Sequence, residues 1–534
     1  MEDFLSTAVN VTANRGNSLI NRKMILRILG ILLFMEAMMF LACAGVSLCY
    51  GEEDYIYFIY TTLINMAVGS GLILLGRGAE NRVTRRDGYC IVAFTWLLFT
   101  GFGMLPFYIS GSIPSVTDAF FETMSGFTTT GATILDDIEA LSHGMLFWRS
   151  FSQWIGGLGI VFFTIAVLPI FGVGNQVLFS AEATGVTHDK IHPKISVMAQ
   201  CLWTVYLVLT VAEIVLLLIG GMDLFDAACH AFSTTATGGY STKQASVAYW
   251  NSPFIEYVIA IFMILSGINF SLYFMCMKGR CGQLFKDGEL RLYLISIGAV
   301  TLIITGALYW YNNYGLEEAF RKSLFQVASI HTSCGFATDD YNMWPPFTWL
   351  LLIYTMVAGG CAGSTAGGVK NVRLLLLLRN VKNEFHRLMH PRAVLPVKMN
   401  RMAVSQRTLA TVMTFVFFYF VCIFLCWLAL MCMGIGLEES FGLSVSSIGN
   451  VGPGLGVFGP AFSWSALPDL AKWLLSFMML IGRLELFGVL LLLTPSFWDR
   501  RYRPTRRIPT CCTSAPPSAA KASSTSTAEP AASS

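Results

Sequence analysis

Four short stretches of this chain combine small hydroxyl residues with glycine. They are Thr128-Thr129-Thr130-Gly131, Thr235-Ala236-Thr237-Gly238, Thr332-Ser333-Cys334-Gly335 and Gly449-Asn450-Val451-Gly452. Their final glycines stand 107, 97 and 117 residues apart. A serine lies six residues before three of them (Ser125, Ser329 and Ser446), and Phe232 occupies that place in the second. Glycine accepts backbone dihedrals closed to other residues, so it can turn successive carbonyls the same way. Carbonyl and hydroxyl oxygens gathered in this manner replace the water around a dehydrated cation. A divalent site would need a ring of carboxylates, and none stands in these cores. The chemistry implied is monovalent cation binding, with the residues of all four cores lining the path.

What must position such loops is a membrane scaffold. Of the 534 residues, 55% are hydrophobic and only 13% charged, about half the charge of a soluble protein. About ten apolar runs are long enough to span a bilayer: 25–48, 55–76, 89–110, 146–172, 196–221, 252–277, 291–312, 346–372, 408–435 and 470–494. The connections sort by charge. Arg77, Arg82, Arg85 and Arg86 fill one, and Lys278, Arg280, Lys286 and Arg291 another; segment 370–407 and the run from Arg500 to Arg507 are also basic. The opposite connections carry Glu52, Glu53, Asp54, Asp136, Asp137, Asp339 and Asp340. Basic loops stay in the cytoplasm, which puts both termini there.

Each glycine core falls in an acidic, outer connection. Each follows a semi-apolar segment too short to span, such as "TDAFFETMSGF" before Thr128 or "LEESFGLSVSSIG" before Asn450. A half-helix followed by irregular backbone is tolerated at membrane depth only where it is buried in protein or lines a water-filled cavity. One such loop reads as a turn; four read as an internal repeat. A half-helix entering from outside points its partly negative C-terminal end at the membrane centre, where a cation is favoured. The fold expected is an all-α polytopic membrane protein, with four span–half-helix–loop–span units around a pseudo-fourfold pore. Its parts are a two-helix extension (1–80), repeat 1 (81–175), repeat 2 (190–280), repeat 3 (288–375), a basic cytoplasmic linker (376–406), repeat 4 (407–498) and a tail (499–534). The tail is basic at first, and its part from Thr510 to Ser534, rich in Ser, Ala, Thr and Pro, is expected to be disordered.

Two features suggest a gate. The eighth span is interrupted by "VAGGCAGSTAGGVK", where Gly359, Gly360, Gly363, Ser364, Thr365, Gly367 and Gly368 cannot sustain a helix. Counted at 1.5 Å per residue, the break falls just beneath the filter. Arg483 stands deep in the last span, where a charge needs a cavity or a partner; carbonyls of the break or Glu485 could serve. Lys370 and Arg373 lie further in and are expected to snorkel to the cytoplasmic interface. Glu213 sits inside a span with no partner evident from sequence. His230 and His331 fall in half-helices and read as packing residues.

Other classes fare worse. No H-E-x-x-H or G-x-S-x-G motif supports an enzyme. His188 and His192 are spaced i, i+4, but Pro193 follows them, so a metal helix is disfavoured. The fourteen cysteines form no C-x-x-C pair, and most read as reduced, buried thiols. Nothing points to nucleic acid.

The four loops resemble those of the Trk/Ktr/HKT superfamily of potassium transporters. The likeness covers roughly residues 20–498. It extends to "QWIGGLGIVFFTIAVLP" (153–169), "LSGINFSLYF" (265–274), "GGCAGSTAGGVKNVR" (359–373) and "GRLELFGVLLLLTPSFW" (482–498). The two extra N-terminal spans are similar to the TrkH-type membrane subunit. The resemblance implies potassium as the transported ion, with no cofactor bound by the chain. It implies uptake across the bacterial inner membrane, a homodimer in lipid, and a cytoplasmic nucleotide-binding regulatory subunit of the TrkA kind. It also implies that Arg483 contacts the Gly-rich loop. Four filter glycines favour potassium over sodium in that family. A coupled potassium/proton or potassium/sodium symporter is the alternative. The chain departs from the pattern at Cys334, where threonine is usual, and in the hydroxyl-free fourth core, where Pro453 follows Gly452 and Asn450 could supply a side-chain oxygen.

Overall fold

The computed structural model describes residues 20–499 except 81, 82, 160–194, 278, 280, 394 and 401. The sequence motif at 153–169 is therefore seen only to Gly159, and His188, His192 and the C-terminal tail lie outside the described residues. The described chain is almost entirely helical; one two-stranded hairpin, Lys398–Met399 against Met402–Ala403, is the exception.

Among the described residues, six helices are long and apolar enough to cross a membrane unbroken or nearly so, beginning with Arg22–Cys49 and Tyr55–Leu75. These two pack tightly because glycine faces glycine: a Cβ on Gly30 would lie 2.7 Å from the Gly69 carbonyl oxygen, and one on Gly69 would lie 3.0 Å from that of Gly30. Small residues permit such approach where lipid gives helices no hydrophobic reason to associate. Between them Asn65 Nδ2 donates to buried Glu36 at 3.0 Å. The pair leans on the first repeat, where Phe40 packs on Trp148 at 4.7 Å and Trp148 Nε1 donates to the Gly103 carbonyl at 2.9 Å. The third span, Arg85–Gly103, opens on a capping box between Thr84 and Asp87. It steps at Met104 into Leu105–Ser110.

The four half-helices are Val116–Phe127, Leu224–Ala236, Leu316–His331 and Leu437–Gly449. Each has acid in its first turn: Asp118, Asp226, Glu317 with Glu318, and Glu438 with Glu439. Acid there complements the positive end of the helix dipole and leaves the negative end for the loop. Each half-helix is flanked by spans. The first precedes His143–Gly157, the second follows Ile195–Ile219, the third follows Gly288–Tyr311 and the fourth follows Gln406–Cys432.

Two runs expected as continuous spans are broken instead. Run 252–277 is Pro253–Ser266 and Phe270–Met277, bent by 91°, and run 470–494 is Asp469–Arg483 and Phe487–Leu493, bent by 117°. The first break is stabilised by exchange with the Gly-rich segment: Cys361 N donates to the Gly267 carbonyl at 2.9 Å, and Phe270 N to that of Gly363 at 3.1 Å. Hydropathy cannot reveal this, because the backbone groups released by one break are satisfied by the other. The eighth run breaks as expected: Pro346–Ala358 ends at Gly359, and a basic helix, Asn371–Met389, begins after Lys370.

Candidate functional site: a ring of four loops under which the Gly-rich segment is seated

The four half-helices end in one backbone motif. A left-handed residue stands at Thr129, Thr237, Ser333 and Asn450, with φ of 55°, 56°, 55° and 53°. Two residues later comes a left-handed glycine: Gly131, Gly239, Gly335 and Gly452, with φ of 80°, 77°, 93° and 99°. The residue between them closes the helix end through its N–H. Thr130 donates to Ser125 O at 2.9 Å, Gly238 to Ser233 O at 2.8 Å, Cys334 to Ser329 O at 2.7 Å and Val451 to Ser446 O at 3.0 Å.

This geometry shifts the second loop by one residue. Its counterpart of Gly131 is Gly239, while Gly238 stands where Thr130, Cys334 and Val451 stand. The serine six residues earlier is then Ser233, and the exception at Phe232 disappears. The double glycine at 238–239 makes two registers possible, and the serine spacing is the signal that favours the second.

The loops close on one another in cyclic order. A Cβ on Gly131 would strike the carbonyl oxygen of Gly238, one on Gly239 that of Cys334, one on Gly335 that of Val451, and one on Gly452 that of Thr130. The same four glycines line one cavity. Glycine is required at each by both its φ and the neighbouring carbonyl. The hydroxyls mostly brace this frame. Thr128 and Thr130 Oγ1 lie 2.8 Å apart, Thr237 Oγ1 donates to Ala236 O at 2.6 Å, Ser333 Oγ to Thr332 O at 2.6 Å and Thr332 Oγ1 to Ala328 O at 2.7 Å. Asn450 Nδ2 donates to Thr130 Oγ1 at 3.0 Å and to Met479 O at 2.9 Å, tying the fourth loop to the first. The Cys334 thiol is buried against the second loop, 3.9 Å from Ser233 O. Thr235 Oγ1 lies 3.5 Å from Glu213 Oε2, which gives that buried acid a partner.

The segment 359–370 lies against this ring. Thr365 Oγ1 donates to Thr235 O at 3.2 Å, and Gly367 N donates to Ser333 Oγ at 2.5 Å. A Cβ on Gly367 would strike the Gly449 carbonyl. The segment thus touches loops two, three and four. Its own turns use left-handed Gly359, Gly363 and Gly368, and Ser364 Oγ donates to Cys361 O at 2.6 Å. Gly360 and Gly359 carbonyls accept from Asn371 Nδ2 at 3.3 and 2.5 Å.

Arg483 meets both the segment and the first repeat. One guanidinium nitrogen donates to Thr365 O at 2.9 Å; the other reaches Gly156 O at 2.5 Å and Gly157 O at 2.7 Å. A cation at the carbonyl end of His143–Gly157 is favoured by the helix dipole. Glu485 pairs instead with Arg373, at 2.5 Å. Lys370 and Arg373 do not snorkel: both are buried, the Lys370 ammonium donating to Ala366 O and Arg373 Nη1 to Val369 O at 2.9 Å. The carbonyls released by the break offer partners closer than the interface. Glu289 is a further support that sequence did not disclose: its Oε1 accepts from Ala362 N at 2.6 Å and from Val372 N at 3.0 Å, one donor from each side of the segment's centre.

His230 bonds Asp226 O at 2.7 Å and Ser241 Oγ at 2.9 Å, a packing role. Cys43, Cys90, Cys229, Cys334, Cys361, Cys422 and Cys426 are buried free thiols, whereas Cys49 and Cys432 are exposed and Cys276 is disulfide-bonded.

Comparison with known proteins agrees with this arrangement. A family model described as TrkH, cation transport protein, matches residues 57–500. The Trk system potassium uptake protein TrkH of Escherichia coli K12 is 39% identical over 478 residues, covering 89% of this chain and 99% of that protein. The Trk system potassium uptake protein TrkI of Halomonas elongata is 34% identical over 414 residues, 77% of this chain and 83% of its own. The crystal structure of the potassium transporter TrkH from Vibrio parahaemolyticus superimposes with a TM-score of 0.81 at 37% identity, covering 89% of this chain and 99% of that one. With four half-helix loops closed into a ring and matches of this length, the chain belongs to the TrkH family of cation transport proteins.

Proposed function

We propose that this protein takes up potassium across the bacterial inner membrane, through a filter formed by the carbonyls of the four loops. The observation that carries the reading is the cyclic contact of Gly131, Gly239, Gly335 and Gly452 with the next loop's carbonyl. In this reading four like oxygens, those of Thr130, Gly238, Cys334 and Val451, surround one opening. Four half-helix C-termini add field of the sign a cation prefers. Naming of the relatives as potassium uptake proteins supports potassium as the ion. Potassium is the substrate, and no cofactor takes part.

The segment 359–370 is the gate, held against the filter by Arg483. A cytoplasmic nucleotide-binding subunit of the TrkA kind sets its position, with the basic stretch 379–407 as the contact. The working unit is a homodimer, with both termini of each chain in the cytoplasm.

Potassium-dependent growth of a bacterium lacking its own uptake systems tests transport. Reversal potentials in reconstituted membranes at two potassium gradients then separate channel-like flow from symport. Values on the potassium equilibrium line support the filter reading; values displaced by a proton or sodium gradient favour coupling, for which Glu213, buried beside Thr235, would be the group to examine.

A further inference from the structure

Behind the first two loops lies a buried ion pair that the ring itself does not require. Arg149 Nε donates to Glu122 Oε1 at 2.9 Å, with the two side chains 1% and 0% exposed. Glu122 sits in the first half-helix and Arg149 in the span that follows, yet their remaining bonds reach forward into the segments just after the filter glycines. Thr133 Oγ1 lies 3.0 Å from each Glu122 oxygen, and Ile134 N donates to Oε2 at 3.0 Å. Arg149 Nη2 approaches Thr133 Oγ1 at 3.3 Å. Across the junction, Arg149 Nη1 donates to Ser241 O at 3.2 Å. The guanidinium lies over the Tyr240 ring at 4.2 Å, and Tyr240 OH donates to Glu122 O at 2.7 Å. Thr133 is two residues past Gly131; Tyr240 and Ser241 are one and two past Gly239. Arg149 also lines the cavity that the four glycines share.

We infer that Glu122 and Arg149 are positioning residues for ion selection: a buckle that fixes the separation of loops one and two at the mouth of the filter. The inference rests on the filter reading above. Two physical reasons make the pair more than packing. The junction it spans is where Gly131 abuts the Gly238 carbonyl, so any slip there changes the ring directly. The two charges also cancel beside a cation path. Removing one leaves the other uncompensated at the filter mouth, which repels or traps the permeating ion. Breaking one partner of such a pair is costly, whereas a planar guanidinium cannot be replaced by an ammonium without losing its fork.

The test uses the full-length protein in lipid nanodiscs and proteoliposomes. The first readout is the difference in melting temperature between potassium and sodium chloride at equal ionic strength, since an ion bound only by the folded state raises stability by mass action. The second is the potassium-to-sodium permeability ratio under bi-ionic conditions. Variants are Glu122→Gln, Arg149→Lys and Thr133→Val, with Arg321→Lys as control. Arg321 pairs with Glu256 at 2.5 Å but touches neither filter loop.

Glu122→Gln and Arg149→Lys are expected to lose most of the potassium-specific thermal shift. Their permeability ratio should fall about tenfold, the size that corresponds to about 1.4 kcal/mol. Arg321→Lys is expected to lower the melting temperature in both salts while keeping the ratio. Thr133→Val removes a single hydroxyl and decides the matter should the charge variants fail to fold: a reduced shift supports the proposal and a wild-type shift overturns it. Variants that melt lower yet keep the wild-type ratio and shift would reduce the pair to a folding element. A wild-type protein with no potassium-specific shift and no potassium preference would instead remove the filter reading itself.

Discussion

Removing Arg483 should loosen the gate by an amount the geometry bounds. Its guanidinium bonds Thr365 O at 2.9 Å in the Gly-rich segment, and Gly156 O and Gly157 O at 2.5 and 2.7 Å in the first repeat. The two bonds to the first repeat hold the arginine whether or not the segment moves. Of these three bonds, the one to Thr365 is the one that differs between a seated and a displaced segment. A hydrogen bond to a charged group contributes about 1.5–3 kcal/mol. Loss of one such differential contact shifts a two-state equilibrium roughly 10- to 150-fold. Arg483→Ala should therefore raise potassium flux without the regulatory subunit by about one to two orders of magnitude, until the open state saturates. The assay is potassium efflux from proteoliposomes holding the purified membrane protein alone. The variant's thermal stability should be measured in parallel, because the Gly156 and Gly157 carbonyls lose the bonds from the guanidinium as well. Basal flux at or below the wild-type level, in protein that remains folded, would refute the assignment of Arg483 as the gate's latch.

The corrected register gives a second prediction. Gly239→Ala forces a Cβ into a left-handed position against the Cys334 backbone carbonyl, whereas a Cβ on Gly238 presses on the end of a side chain, the Gln153 amide that bonds Gly238 O and Tyr240 N, at 2.5 Å. Gly239→Ala should thus reduce potassium selectivity more than Gly238→Ala, read as bi-ionic permeability; the reverse order would restore the alignment on Gly238. Glu289→Ala removes the acceptor for Ala362 N and Val372 N, and partner-free efflux should rise as it does for Arg483→Ala; unchanged efflux would limit Glu289 to packing. On the side of the half-helix N-termini, burial alone would raise the Glu52 carboxyl, but bonds from the His143 backbone and ring and from Gly144 N outweigh it and hold the carboxyl below its usual range. A depressed carboxylate stabilises the fold above its unfolded pKa of about 4.3 and loses that contribution as pH falls through its folded value. The wild type should therefore lose melting temperature more steeply than Glu52→Gln below about pH 5; parallel curves would count against the assignment.

Much of this architecture is legible in the residues. Spans, the half-helices and the Gly-rich break follow from apolar length, acidic first turns and glycine density, all of which act locally. What stays hidden depends on contacts between distant segments. The bend after Ser266 exists because Gly267 and Phe270 exchange backbone bonds with Cys361 and Gly363. Lys370 and Arg373 are expected at the interface from sequence, because nothing local shows that a broken helix offers them carbonyls and that Glu485 is turned toward Arg373. The register of the second loop is legible, but only if Ser233 is weighed above the shape of "TATG".

The ring is tested most directly by locating the ion. Crystals of the full-length protein grown with rubidium or thallium replacing potassium should show anomalous density on the axis enclosed by the carbonyls of Thr130, Gly238, Cys334 and Val451, beside Gly131, Gly239, Gly335 and Gly452. Density there, displaced by excess potassium and not by sodium, is the expected result. Bound ions found elsewhere, with that position unoccupied, would contradict the filter assignment.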